Sequence, residues 1–369
     1  EKRGPSSSGL AARPKTTGGY AMRQLGTRRL ISASLGAGIL ATAMVLAIPA
    51  SAAAHHTPHA AHRSGEHCDS ACLDHMVDRY LAALVAHDPS QVPIAKHYEF
   101  VQNLVRMRVG EGLWKTASAV PTTFKIYVPD PVAEQVGFIG MMQENGKPIE
   151  LGLRLKLHDG KIVQMEHLVA SNLRAASLKN LETPRPQFSE VVPPAERTPR
   201  AKMLKIAYSY YTALVTGNGK AAPFADDCVR HENGMQTTGN VRPAQTPISQ
   251  HGAANSGMSK LGALGCAAQA DTHLFDYITR ITPRRVWIAD VKHGLVFGLS
   301  QFRQPMKKKY VTIVGIPGVT RVPMNFKPFD LPAAHIFKIS GGKIHQIEAM
   351  GFTMPYDSPT GWQKGAQIH

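Results

Sequence analysis

The chain has 369 residues, 43% of them hydrophobic, 18% charged and 7% aromatic, a length and composition that suggest about two globular domains and argue against one large core. Its formal charge is +16, yet the densest basic run, Lys307 to Lys309, has no interleaved aromatic platform and no recognised nucleic-acid module around it. The surplus therefore reads as solvated surface, and no nucleic-acid partner is expected.

Residues 1–21 precede the first methionine, Met22, and are given no structural role. Residues 22–52 have the layout of a secretory signal. Arg23, Arg28 and Arg29 form a positive start, Leu30 to Ile48 an apolar run, and Pro49 precedes the small-residue site Ala50-Ser51-Ala52. The run is about 19 residues, near the lower limit for a membrane span, but the cleavage site behind it predicts removal and no stable span. Sec export is expected ahead of the twin-arginine route, so the mature protein is periplasmic or extracellular. Residues 1–52 hold seven of the 42 basic residues and one of the 26 acidic ones, which leaves 35 against 25, or +10.

Residues 53–67 are rich in His and Ala. A cut after Ala52 or Ala53 would leave Ala53-Ala54-His55 or Ala54-His55-His56 at the terminus. Either places a histidine third, where square-planar Cu(II) or Ni(II) can be held. The plainer expectation is a tail without a metal. Next come Cys68 and Cys72; an even cysteine count in an exported chain favours disulfides, here Cys68–Cys72 and Cys228–Cys266, each within one half of the chain. A metal site at His67, Cys68, Cys72 and His75 is the alternative, with spacing that fits no standard zinc motif.

An internal repeat organises the remainder. Tyr80–Asn103 aligns without a gap on Tyr210–Asn233, matching Tyr80, Ala83, Leu84, Val85, Pro93, Ala95 and Asn103 to Tyr210, Ala213, Leu214, Val215, Pro223, Ala225 and Asn233. "GKIVQMEHL" (160–168) then echoes "GKIHQIEAM" (342–350), aligning Glu166 with Glu348. Each half predicts an amphipathic helix (Met76–Ala86; Met203–Thr216), a short connection, and period-two strands with a hairpin at Asp159-Gly160. Strands after a helix, without alternating helices, argue for α+β and mainly antiparallel pairing. The expected domains are 68–172 and 201–369, joined by a Pro-rich linker at 173–200. The longer second half has two insertions, Met235–Ala270 and Arg303–Asp330, which suggest lids or binding loops.

"YYTALVTGNGKAAPFADDCVRHENG" resembles the opening of a SnoaL-like domain of the nuclear-transport-factor-2-like superfamily, and "FKISGGKIHQIEAM" resembles that superfamily's last hairpin. The resemblance covers roughly 70–170 and 200–352. It implies two tandem cone-shaped α+β barrels, each a curved antiparallel sheet wrapped on N-terminal helices around a conical pocket. It says little about chemistry, because the superfamily holds isomerases, dehydratases, epoxide hydrolases, cyclases, lyases and non-enzymatic binders.

Candidate chemistry centres on "DDCVRHENG", Asp226 to Gly234. In a strand, His231 and Asn233 share one face while Cys228, Arg230 and Glu232 share the other. If the first set lines the cone, His231 is the general base with Asn233 as hydrogen-bond donor, and the cysteine face packs outward. The other face is the rival, with Glu232 as a catalytic candidate and Arg230 as a binding one; the leading expectation is His231 as base with Asn233 or a tyrosine as donor. The first half has Phe100, Val101 and Gln102 at the three positions and keeps only Asn103, which predicts a supporting first domain and a working second one. Tyr208, Tyr211 and Glu348 are further candidates for contact with a ligand. Asp130 and Asp290 read as turn residues.

No nucleophile elbow, phosphate loop or cofactor motif is present, so no cofactor is expected. The reading is an exported protein with a pocket for a small apolar or polyfunctional organic molecule, performing isomerisation, dehydration or lyase cleavage. The alternatives are a carrier or sensor without catalysis, and a module that pairs its two domains or forms a homodimer.

Overall fold

The computed structural model describes residues 68–239 and 256–363. The expected signal, His55, His56 and His67 lie outside them. The first half supplies α1 (Ser70–Val85), β1 (Ile94–Gln102), β2 (Val105–Met107), α2 (Leu113–Thr116), β3 (Ala117–Ala119), β4 (Lys125–Asp130), β5 (Gln135–Glu144), β6 (Lys147–His158) and β7 (Lys161–Ala170). A short helix, α3 (Ala175–Asn180), lies in the connecting segment. The second half begins with α4 (Arg200–Thr216), β8 (Phe224–Glu232), β9 (Met235–Gln236), α5 (Ser256–Ala263) and α6 (Cys266–Asp271). It continues with β10 (Arg280–Asp290), β11 (Leu295–Gln304), β12 (Tyr310–Thr312), β13 (Arg321–Pro323), β14 (Phe329–Ser340), β15 (Lys343–Gly351) and β16 (Met354–Pro355).

The first sheet has the order β2-β1-β7-β6-β5-β3, with β4 also on β5; the second has β10-β11-β14-β15-β8-β9, with β16 on β14. In each sheet the first long strand runs parallel to the last, β1 with β7 and β8 with β15, while the hairpins between them are antiparallel. The long return carries the chain from one edge of the sheet back beside its start, and the sheet curls around the opening helix. Both halves are thus cone-like α+β units, as the resemblance implies.

Local chemistry explains the element ends. The α1 helix starts at Ser70, six residues before the apolar spacing suggests, because the Asp69 carboxylate accepts from the Cys72 N–H at 2.8 Å and caps the extra turn. The Asp159-Gly160 turn has φ of 49° and 69°, the left-handed pair that matches strand twist in a two-residue hairpin. Asp130 and Asp290 both accept backbone N–H groups in the turns after their strands. The Arg303–Asp330 insertion folds as the small β12–β13 sheet, with Val311, Ile313, Val319 and Met324 buried in the second core.

Each sheet is buried on both faces. On the inside, α1 packs against Phe138, Leu151, Leu153 and Met165, and α4 against Val286, Val296, Phe337 and Ile347. On the outside, the two sheets pack on each other through Ile126, Ile139 and Leu168 of the first and Phe297, Leu299, Ile336 and Met350 of the second. This is why β11 is buried at every position and shows no hydrophobic–polar alternation. Glu166 sits between the sheets, fully buried, and accepts from Arg285 Nη1 and Nη2 at 2.5 Å each, with Arg154 Nε at 3.6 Å. Arg200 at the start of α4 forks onto Asp130 of β4 at 2.9 and 2.7 Å. The two halves thus pack on each other within one chain.

Gly137 marks the closest approach of the sheets, since a Cβ there would lie 2.2 Å from Phe297 Cγ. Gly137→Ala should therefore lower the thermal midpoint, at a cost of about 1–3 kcal/mol from overpacking, read by calorimetry. An unchanged midpoint would contradict this account of the interface.

Candidate functional site

Strand β8 decides which set of side chains enters the second cone. Cys228 and Arg230 are 1% and 2% exposed and point inward, Cys228 forming its disulfide to Cys266 of α6 at 2.04 Å. The expectation that His231 and Asn233 line the cone, with the cysteine face outward, is therefore corrected: the cone takes Arg230 and Glu232. The reason is tertiary. α6 packs beside β8 on the inner side, where its Cys266 reaches Cys228. Cys68 bonds Cys72 in the same way at the start of α1, so neither is a thiolate available to a metal.

Around Arg230 the interior is polar. Nε donates to Thr237 Oγ1 at 2.9 Å, and Nη2 to Gln269 Oε1 at 2.5 Å. The guanidinium lies 5.2 Å over the Phe275 ring, and Glu232 Oε1 is 2.7 Å from Nε. Burial works against the charge, but Glu232, Tyr210 and Tyr277 more than offset it and hold the guanidinium above its ordinary value. Burial pushes the Tyr210 hydroxyl up to about 12, with Arg230 pulling it down and Glu232 raising it. Tyr277 and Tyr211 are likewise pushed up by burial, so all three phenols stay protonated and can donate. Deeper still, the Tyr211 hydroxyl meets His335 Nδ1 at 3.3 Å. His335 is buried and stacked on Phe337; burial, helped by the Arg230 charge, lowers its pKa to about 3, so the imidazole is neutral. At the rim, the Glu232 side chain is 45% exposed.

The first cone is built differently at the same places. Phe100 stands where Arg230 does and Gln102 where Glu232 does. The Gln102 Oε1 accepts from Leu113 N at 2.9 Å, which fastens α2 and sets Trp114, 1% exposed, edge-on to Tyr80 at 5.2 Å. Tyr80 also bonds His167 Nε2 at 2.9 Å. That interior is closed by its own side chains.

The other sequence candidates lie elsewhere. Asn233 occupies a left-handed turn position (φ 45°), donates to Gly351 O and accepts from Gly351 N, both at 2.8 Å. Asn103 makes the same pair of bonds to Val169 in the first half, so the repeated asparagine is a clamp between the first and last strands. Tyr208 is 47% exposed on the outside of α4, stacked under Arg284 at 5.1 Å. His231 and Glu348 face the outer side of the second sheet as register neighbours. Arg185 of the connecting segment covers them, bonding Gln346 Oε1 at 2.6 Å, Ile347 O at 2.8 Å and Glu348 Oε2 at 3.1 Å. His231 is half-buried with no partner for Nδ1; burial, then the Arg185 charge, lowers its pKa to about 3. His231 is thus far from a base poised near neutral pH. His335, Tyr210, Tyr277 and Gln269 were not singled out as site residues; only the inward alternation of β14 opposite α4 could have pointed to His335.

Glu348 also faces Glu150 of β6, which is fully buried with both carboxyl oxygens unpartnered. Burial, then the Glu348 charge, raises the Glu150 pKa well above the ordinary value. A carboxyl raised on folding contributes fully below its unfolded value, and that contribution is lost as pH climbs through the folded value. Glu150→Gln should therefore stabilise the protein increasingly toward alkaline pH and flatten the dependence, measured by denaturant unfolding from pH 5 to 9. Parallel curves for the two proteins would refute a neutral Glu150.

Among the described residues, no helix is long and apolar enough to cross a membrane. Residues 196–351, spanning α4 to β15, match a family model described as a domain of unknown function, DUF8021. No curated protein matches the sequence. Among solved structures, the chain is similar to a provisionally assigned polyketide cyclase from Xanthomonas campestris pv. campestris, at 16% identity over 41% of this chain and 90% of that one, with a TM-score of 0.26. It is similar to IdmH from Streptomyces antibioticus, another provisional polyketide cyclase, at 16% identity over 40% and 91%, TM-score 0.24. A provisional SnoaL-like polyketide cyclase from Jannaschia sp. CCS1 matches at 12% identity over 44% and 90%, TM-score 0.25.

Proposed function

We propose that the second cone is a site for a small organic molecule and performs cofactor-independent acid–base chemistry on it, an isomerisation, dehydration or lyase cleavage. The observation that carries this reading is the contrast between the two cones. The first has Phe100 and Gln102, with Trp114 packed on Tyr80, whereas the second holds at the same positions a buried charge, Arg230, beside a carboxylate at its rim. A desolvated guanidinium costs several kcal/mol to bury, which a purely structural cone avoids with Phe100. Glu232 is the base, half-exposed and able to meet a substrate proton. Tyr210, Tyr277 and Tyr211 are neutral donors for the oxygen that gains charge when a proton leaves the adjacent carbon. Neutral His335 orients Tyr211. The halves act as tandem modules joined at 173–200, the first supporting the second through the shared sheet interface.

A second reading, a carrier or sensor without turnover, is favoured by the ion pair between Arg230 and Glu232, which already satisfies both charges. Untargeted mass spectrometry of the purified mature protein should recover a bound small molecule. Glu232→Gln should reduce its turnover about 10²–10⁴-fold with the melting temperature retained. Binding with no turnover in either protein would leave the carrier, and a protein that holds no ligand would remove both readings.

We also propose export through residues 22–52, a reading that two disulfides support. Sequencing of the mature N-terminus should find a cut at Ala52 or Ala53; retention of residues 22–52 on the mature protein would contradict export by cleavage.

A further inference from the structure

We infer that the second cone selects molecules carrying a carboxylate, which takes the place of the Glu232 carboxylate on Arg230; this rests on the reading of that cone as the small-molecule site. Arg230 is held by neutral acceptors, among them Thr237 at 2.9 Å and Gln269 at 2.5 Å, which leave its charge uncompensated. Its countercharge is Glu232, 2.7 Å from Nε. The two partners of that pair are placed unequally: the Arg230 side chain is 3% exposed and the Glu232 side chain 45%. The arginine cannot leave and cannot lose its proton. The glutamate can turn into solvent at little cost, because it is half there already.

An incoming group must then replace Glu232 in kind. A neutral molecule that displaced it would leave a buried charge unpaired, at a cost of several kcal/mol, whereas a carboxylate restores the countercharge beside the guanidinium. The neighbours agree with an anion. Tyr210 and Tyr277, both protonated, offer hydroxyl donors, and Phe275 under the guanidinium supplies an aromatic wall for the body of the molecule. Among the described residues, the carboxylate that influences Tyr210, Tyr277 and Arg230 is Glu232 itself. The first cone lacks both halves of the device, with Phe100 and Gln102 at these positions, so selection belongs to the second cone alone.

The test is calorimetric titration of the full chain with benzoate and, as its neutral counterpart, benzamide. Wild type should bind benzoate and not benzamide. Glu232→Gln should bind benzoate at least tenfold more tightly, since the internal competitor has lost its charge, and Arg230→Met should not bind it. Arg230→Met can fail to fold, so the half-exposed Glu232→Gln variant decides the matter with its disulfides and melting temperature checked. The inference is overturned by benzoate binding no tighter in Glu232→Gln than in wild type, by equal binding of benzamide, or by no benzoate binding in either protein. A neutral molecule recovered from the cone while benzoate fails would remove this inference and leave the small-molecule site. Benzoate binding, with no turnover of the molecule recovered from the purified protein, would keep the inference and remove the catalytic reading.

Discussion

The structure turns on the packing of one sheet's outer face against the other's. A curved sheet that wraps a helix hides only its concave side, and its convex side is left with strands rich in Ile, Leu and Phe. Here the convex sides cover each other, with Ile139 and Leu168 against Phe297, Leu299 and Ile336, and Gly137 leaves room for Phe297. The interface is not purely apolar. Glu166 is fully buried there, and the fork of Arg285 offsets its desolvation. With that face occupied, polar side chains on the outer faces, such as Glu166 and Glu150, become buried polar groups between the sheets.

This constraint reassigns the repeated residues. Glu166 and Glu348 recur because each lies on the outer face of its last strand, where an arginine meets it: Arg285 from the opposite sheet in one case, Arg185 from the connecting segment in the other. Asn103 and Asn233 recur because a left-handed residue ends the first strand and its amide ties the last one. Recurrence in both halves marked positions the fold requires. The halves differ at Arg230 and Glu232 against Phe100 and Gln102, and the proposed chemistry is placed there.

The interior of the second cone follows from that difference. One buried guanidinium draws neutral acceptors around it, Gln269 from α6 and Thr237 from the turn after β9. Its partner carboxylate stays at the rim. The disulfide from Cys228 to Cys266 holds α6 in reach, so the insertion that lengthens the second half contributes part of the cone wall. The insertion at 303–330 does something plainer, adding a two-stranded patch to the same core.

Much of this was open to reading in the sequence because it depends on neighbours in the chain. The helices at 76–86 and 203–216, the Asp159-Gly160 hairpin, the α+β order and the two halves follow from periodicity and turn chemistry, which act over a few residues. The cysteine pairs came from proximity within each half. The orientation of β8 did not, because alternation places His231 and Asn233 opposite Arg230 and Glu232 without saying which side is in. Both sets are polar, so hydrophobicity could not choose. Only the tertiary structure chose, by bringing α6 over one face of the strand and Arg185, with the other sheet beyond it, over the other.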